Sequence, residues 1–279
     1  IGVDSVYKSI LANPTANSGD GRPLFLYPPA RAFVRERMGK TILDIKDVGK
    51  NFGGVVAIRN VNLEVVAGEV VGLIGPNGAG KTTLLNVISG FYKPDMGRIR
   101  LNGLDVTGEP PHKVARAGVS RTFQIPKILR NLTVEENILS ATIVSSNSEN
   151  ERLGERLLDF FGLSRLRDGP AKNLSGGQQK LLEFIRAVVQ NSSLVMLDEP
   201  VGGVHPDMIS QLGEVITELN REGGRTFLIV EHNIPFVAEV CSRVCVMSEG
   251  SVIASGSIEE VLHAESVIEA YLGGRNATG

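Results

Sequence analysis

The chain has 279 residues, 42% apolar and 22% charged, with a formal net charge of −2. This is enough apolar mass for one large domain or two small ones, and the near-neutral balance excludes the basic footprint of a nucleic-acid binder. Two cysteines, Cys241 and Cys245, are too few for a disulfide framework, and no apolar run reaches the ~18 residues of a membrane helix, so a membrane role has to come through a partner.

Residues 1–40 differ from the rest. They hold Pro14, Pro23, Pro28 and Pro29, no amphipathic period, and six basic against three acidic residues. They read as a solvated extension or linker. Because the chain opens on Ile1 and this stretch is net positive, a second reading is a cytosolic connector following a membrane-spanning segment of a longer parent. From Thr41 the pattern turns to strands: Thr41–Val48, a turn at Asn51–Gly54, then Ala57-Ile58 and Val61–Val66. Several strands before the first helix imply an antiparallel layer. Phe52 falls on that turn, where an aromatic ring either stacks on a flat nucleobase or tucks into the local core; residue type alone leaves both open.

The next stretch organises the chain. Gly75, Pro76, Asn77, Gly78, Ala79, Gly80, Lys81, Thr82 and Thr83 fit the template of Gly, four residues, then Gly-Lys-Thr. A buried strand, Glu69–Ile74, precedes it, and a helix, Thr82–Ile88, follows and closes at Gly90. Glycines let successive amides converge on one concavity, and the positive end of the helix faces the same point. A phosphate chain fits there, with Lys81 as a point charge for the outer phosphates and the Thr82 hydroxyl as a Mg²⁺ ligand.

Beyond it, Gly97–Asn102 reads as a strand turned at Asn102-Gly103, and Lys113–Ala117 as a short helix stopped by Gly118. Val119–Phe123 is strand-like and leads into Gln124, whose amide can ligate Mg²⁺ or orient a water. Residues 125 to about 173 form a helical insertion. Thr133 and Glu136 have the spacing of a capping box, Ser145–Asn150 is a polar connector, and Leu153, Leu157, Leu158 and Phe161 share one helical face. In Leu174–Gln178, Ser175 can cap the following helix while Gly176 and Gly177 leave its first amides uncovered, which makes a second anion site.

Leu194–Glu199 is a buried strand ending in two carboxylates. Asp198 there suits Mg²⁺ and its hydration shell, and Glu199 suits the attacking water. A helix starts at Pro206, and Thr226–Val230 is a further buried strand ending at Glu231-His232. His232 therefore ends a strand beside others that end in chemistry, where open α/β sheets gather ligands. Arg243–Met247 and Ser251–Ser255 form a hairpin turned at Glu249-Gly250, and two short helices close the chain.

Thr41–Gly274 resembles the nucleotide-binding subunit of ATP-binding-cassette (ABC) transporters. The resemblance rests on Gly75–Thr83 (Walker A), Gln124 (Q-loop), Leu174–Gln178 (signature), Leu194–Glu199 (Walker B) and His232 (switch histidine), in that order. Val119–Gln124 and the tail Val267–Gly273 look like the subunits that serve branched-chain amino-acid importers. The resemblance implies an α/β fold: a P-loop NTPase (RecA-like) core with an antiparallel β-subdomain and an inserted helical signature subdomain at about 125–190. On this reading residues 1–40 are the extension, 41–274 the nucleotide-binding domain and 275–279 a tail.

It further implies a head-to-tail dimer of identical or homologous chains, with each ATP between one chain's Walker A and the other's signature. Phe52 then stacks on adenine, and Lys81 binds the β- and γ-phosphates. Thr82, Gln124 and Asp198 surround Mg²⁺, Glu199 is the general base and His232 senses the γ-phosphate. Ser175, Gly176, Gly177 and Gln178 act across the dimer. The groove near Gln124 receives a membrane permease, which places the subunit peripherally on the cytoplasmic face of the cell membrane. Export or lipid movement, a non-transport ABC protein and a non-catalytic ATP-binding regulator are the competing functions. One departure stands out. His205 replaces the aspartate of the family's Ser-Ala-Leu-Asp stretch, which puts communication between the two sites in question and suggests a pH-sensitive ATPase.

Overall fold

A computed structural model describes residues 39–143 and 148–273. Most of the N-terminal extension, the first half of the Ser145–Asn150 connector and the 275–279 tail lie outside the described residues. Asn150 itself belongs to a helix that begins at Ser148, so the connector is shorter than its polar composition implied.

The chain builds two sheets. In the first, β1 (Thr41–Phe52) and β2 (Val55–Val66) form a long antiparallel hairpin, and β1 pairs on its other edge with β4 (Met96–Leu101), which turns into β5 (Leu104–Asp105). Asn102 and Gly103 both take positive φ (52° and 80°), the conformation a two-residue hairpin turn demands. Phe52 is the last residue of β1 rather than part of the turn, because the β1–β2 ladder runs on to the Phe52–Val55 pair.

The second sheet has the order β10-β9-β3-β8-β7-β6. Its strands are β3 (Val70–Ile74), β6 (Val119–Arg121), β7 (Leu194–Asp198), β8 (Thr226–Val230), β9 (Arg243–Ser248) and β10 (Ser251–Gly256), parallel except for β10 at the edge. Every residue of β3, β7 and β8 is buried, as expected of parallel strands covered on both faces. Alternation sorts their side chains. Val70, Val195, Leu197, Phe227 and Ile229 face one core, and Val71, Leu73, Met196, Leu228 and Val230 face another.

The second core is closed by the antiparallel sheet and by α1 (Lys81–Ile88), and α2 (Pro111–Arg116) contributes Val114 to it. The first core is closed by α3 (Val134–Thr142), α4 (Ser148–Phe160), α5 (Gly176–Val189) and α6 (Pro206–Arg221). The helical insertion therefore shares one continuous core with the sheet, joined through the stripe of α5 that includes Leu181, Leu182 and Ile185. The capping box forms at α3, where Thr133 N–H donates to Glu136 (2.8 Å) and Glu136 N–H to the Thr133 hydroxyl (3.1 Å). A short helix the sequence did not reveal, α7 (Ile234–Val240), is capped by Asn233 and buries Phe236 and Val237. The C-terminal helices α8 (Ile258–His263) and α9 (Glu265–Gly273) complete a third small core around Ile74, Val244 and Val246.

Candidate functional site

β3, β7 and β8 run parallel and in register, so their carboxyl ends share one edge. At the first of these ends the phosphate loop is wedged against its own chain. Gly75 has φ 145°, and a Cβ there would lie 2.0 Å from the Met247 carbonyl oxygen. Gly80 has φ 98°, and its Cβ would lie 2.5 Å from the Ala57 carbonyl oxygen. Both positions require glycine for backbone angle and for close approach. Gly80 precedes α1 without any side-chain cap, which leaves the start of the helix open to an anion. Asn77, Gly78 and Thr82 are exposed; Pro76 and Thr83 are half-buried, and Ala79 is buried. The Lys81 ammonium folds back and donates to the carbonyls of Gly75 (2.7 Å) and Pro76 (3.0 Å). Burial pushes its pKa down, opposed by the nearby carboxylates of Glu199 and Asp198.

At the end of β7 the two carboxylates part company. Asp198 stays in the strand, 2% exposed, and its amide donates to the Thr122 hydroxyl (3.1 Å). Glu199 N–H still donates to the Val230 carbonyl (2.9 Å), and the residue then turns left-handed at φ 49°. That turn frees adjacent residues from pointing to opposite faces, and both carboxylates act on the Lys81 ammonium. Gln124 Nε2 donates to Glu199 Oε2 (3.0 Å), and His232 Nδ1 lies 4.0 Å from Glu199 Oε1. Gln124, Glu199 and His232, far apart in sequence, thus converge.

One oxygen of Asp198, Oδ2, pairs with Arg121 (3.2 Å); the other, Oδ1, is buried with no hydrogen-bond partner. Burial raises the Asp198 pKa while Arg121 opposes the rise. A buried oxygen without a donor fits a cation. Asp198 Oδ1 is a hard oxygen, and the Thr82 hydroxyl and Gln124 amide expected beside it would add only hard oxygens, a chemistry that suits Mg²⁺ and not a thiophilic metal. Among the described residues no group of three or more His, Cys, Asp or Glu gathers for a metal.

Two residues here were not singled out from the sequence. Arg121, with its side chain 6% exposed, bonds the Asn86 amide oxygen (2.9 Å), the Ser89 hydroxyl (2.7 Å) and Asp198, and its guanidinium sits 4.4 Å from the Phe123 ring centroid. It ties α1, β7 and the strand before Gln124 together. Glu231 is fully buried and accepts from the amides of Val201 (3.0 Å), His232 (2.9 Å) and Asn233 (3.1 Å), which joins the segment after Glu199 to His232. A carboxylate closing an unbroken apolar strand was the available signal for Glu231; a basic residue on a three-residue strand gave none for Arg121.

The remaining candidates sit apart. Ser175 caps α5: Gln178 N–H donates to its hydroxyl (3.3 Å), and its own N–H donates to the Gln178 side chain (2.9 Å). Ser175 and Gly176 are exposed, and among the described residues no hydrogen bond joins the signature to Gly75–Thr83. Phe52 is 43% exposed, which removes the core alternative, and meets Tyr92 edge-on at 5.1 Å between centroids. His205 caps α6 by accepting from the Asp207 amide at Nδ1 (3.4 Å).

Fold and site together define a nucleotide-binding protein of the P-loop class, with a phosphate loop, a carboxylate pair and a helical insertion. Residues 58–202 match the ABC transporter family model. The chain is 42% identical over 250 residues to a probable branched-chain amino acid transport ATP-binding protein, LivG, of Archaeoglobus fulgidus, covering 85% of this chain and 97% of that one. It superposes with TM-score 0.73 and 36% identity on the ADP conformation of MJ1267, an ATP-binding cassette of an ABC transporter, covering 84% of this chain and 99% of that one. The dimeric structure of MJ0796, a bacterial ABC transporter cassette, gives TM-score 0.70 and 26% identity, over 78% of this chain and 99% of that one. The chain belongs to the ABC transporter family, as an ATP-binding subunit with ATPase activity. None of its described helices is long and apolar enough to cross a membrane.

Proposed function

We propose that the chain is the ATP-hydrolysing subunit of an importer of branched-chain amino acids. The observation that carries the ATPase reading is the meeting of Gln124, Glu199 and His232 beside Asp198 and Lys81 at the strand ends. The substrate class follows the names of the relatives.

Lys81, now held by loop carbonyls, exchanges them for the β- and γ-phosphate oxygens, while the open start of α1 receives the phosphate chain. Phe52, exposed at the end of β1, stacks on the adenine. Glu199 accepts the proton of the attacking water, with Gln124 fixing one of its oxygens and His232 near the other. His232 then reports the γ-phosphate. Thr82, Gln124 and Asp198 would hold Mg²⁺, which when bound neutralises charge on the phosphates. Catalysis is mainly positioning and charge stabilisation.

Ser175, Gly176, Gly177 and Gln178 face solvent or are half-exposed and, among the described residues, make no hydrogen bond to the chain's own phosphate loop, so they complete the site of a second cassette, identical or homologous. Ile125 (73% exposed) beside Gln124 and Leu139 and Ile143 on or beside α3 give an apolar surface for permease subunits. Docked to a permease in this way, the subunit sits peripherally on the cytoplasmic face of the cell membrane. The test is phosphate release. Glu199→Gln should slow it by roughly 10²–10⁴-fold while ATP still binds. Equal rates for Glu199→Gln and the parent would sink the assignment, and failure of the complex with its permease to take up leucine would sink the substrate class.

A further inference from the structure

We infer that Glu183 is a positioning residue whose two carboxylate oxygens clasp both ends of the loop carrying Gln124 and fasten that loop to the helix that begins at the signature. This rests on the function proposed above, in which Gln124 serves Glu199 and the metal.

Glu183 lies on α5 among Leu181, Leu182, Phe184 and Ile185, all buried, and is itself 4% exposed. A carboxylate in such a stripe needs strong compensation. It receives the Phe123 N–H at Oε2 (3.0 Å) and the Lys127 N–H at Oε1 (2.6 Å). One turn on, Arg186 donates to the Lys127 carbonyl (2.7 Å), so that residue is held on both sides from the same helix. Between the two amides lie Gln124, Ile125 and Pro126. Among the described residues, residues 123–127 take part in no backbone–backbone hydrogen bond outside regular elements. Side chains of α5 supply the fastening of that backbone.

The same helix reaches the other partner. Lys180, one turn before Glu183, donates to the Glu199 carbonyl (2.7 Å). α5 therefore holds the loop of Gln124 and the backbone of Glu199, and so sets the Gln124–Glu199 hydrogen bond from behind. A shift of α5, whose first turn is the signature, moves both groups together. In this way engagement of the signature by a second cassette reaches the chain's own Gln124.

Because both oxygens accept, the isosteric amide cannot substitute: Glu183→Gln sets an NH₂ against one of the two N–H groups. Glu183→Gln should lower kcat about tenfold or more with KM for ATP within about twofold, since the loop positions chemistry and not the nucleoside. Amide exchange at Phe123 and Lys127 should accelerate while β7 stays protected. The decisive comparison is a double-mutant cycle with Gln124→Ala. If Glu183 works through Gln124, Glu183→Gln costs little further in that background. An equal loss of kcat in both backgrounds, or a parent-like kcat, overturns the inference. Should the parent release no phosphate, the proposed function fails instead. Amide exchange then judges the clasp alone, and unchanged protection at both amides in Glu183→Gln refutes it.

Discussion

A Cβ on Gly75 would lie 2.0 Å from the Met247 carbonyl oxygen and one on Gly80 2.5 Å from that of Ala57, whereas one on Gly176 would meet nothing within 4 Å and one on Gly177 only Val204 at 3.8 Å and Gly203 at 3.9 Å. The phosphate loop and the signature are both glycine-rich starts of helices, yet their glycines answer to different neighbours. In the phosphate loop the chain's own backbone demands them. In the signature no described residue does, and neither Gly176 nor Gly177 has a positive φ. The signature is therefore open on this side, as the function proposed above requires if a second cassette is to approach it.

Replacing glycine by alanine should have opposite consequences for the fold in the two loops. Arg121→Met, on the phosphate-loop side, should be the most damaging change: it strands a 2%-exposed Asp198, at a cost of roughly 3–5 kcal/mol in denaturant titration. A loss below about 1 kcal/mol would show that the Arg121–Asp198 pair is not needed there. Gly75→Ala follows, with at least about 3 kcal/mol lost because the clashing atom is backbone. Gly176→Ala should leave the melting temperature at or slightly above the parent's, helped by up to ~1 kcal/mol of helix propensity, while ATP-dependent dimerisation and phosphate release fall. A fold-destabilising Gly176→Ala would erase the contrast on which the comparison stands. The smallest effect is expected at the cap of α6, where His205→Asp should add about 0.5 kcal/mol, since a carboxylate is the better acceptor for the Asp207 amide. Matching pH–rate profiles for the parent and His205→Asn would remove that ring as a source of pH sensitivity.

The elements whose signals are local were legible in advance. The capping box Thr133/Glu136 forms as its spacing predicted, Ser175 caps its helix as expected with Gln178 closing a second box, and the turns Asn102-Gly103 and Glu249-Gly250 both take positive φ. The strands before the phosphate loop, before Asp198 and before His232 showed as short apolar runs. What stayed hidden was set by long-range contact. α7 has only seven residues, with Pro235 at its first turn, too short for a periodic pattern. Glu183 reads as one polar position on an apolar helix until residues 123–127 arrive to occupy it. Phe52 was undecidable because Tyr92, forty residues on, is what its ring meets.

Part of the wall behind the phosphate loop comes from the far end of the chain. Gly250 N–H donates to the Ala79 carbonyl (3.1 Å), Arg59 N–H donates to the Gly250 carbonyl (2.8 Å), and the Met247 carbonyl crowds Gly75. During synthesis the ribosome delivers that wall about 170 residues after the loop it supports. A growing polypeptide should therefore gain its full nucleotide affinity only after the last hairpin has emerged. Stalled nascent chains ending before and after the hairpin, probed with a fluorescent nucleotide, would show the step.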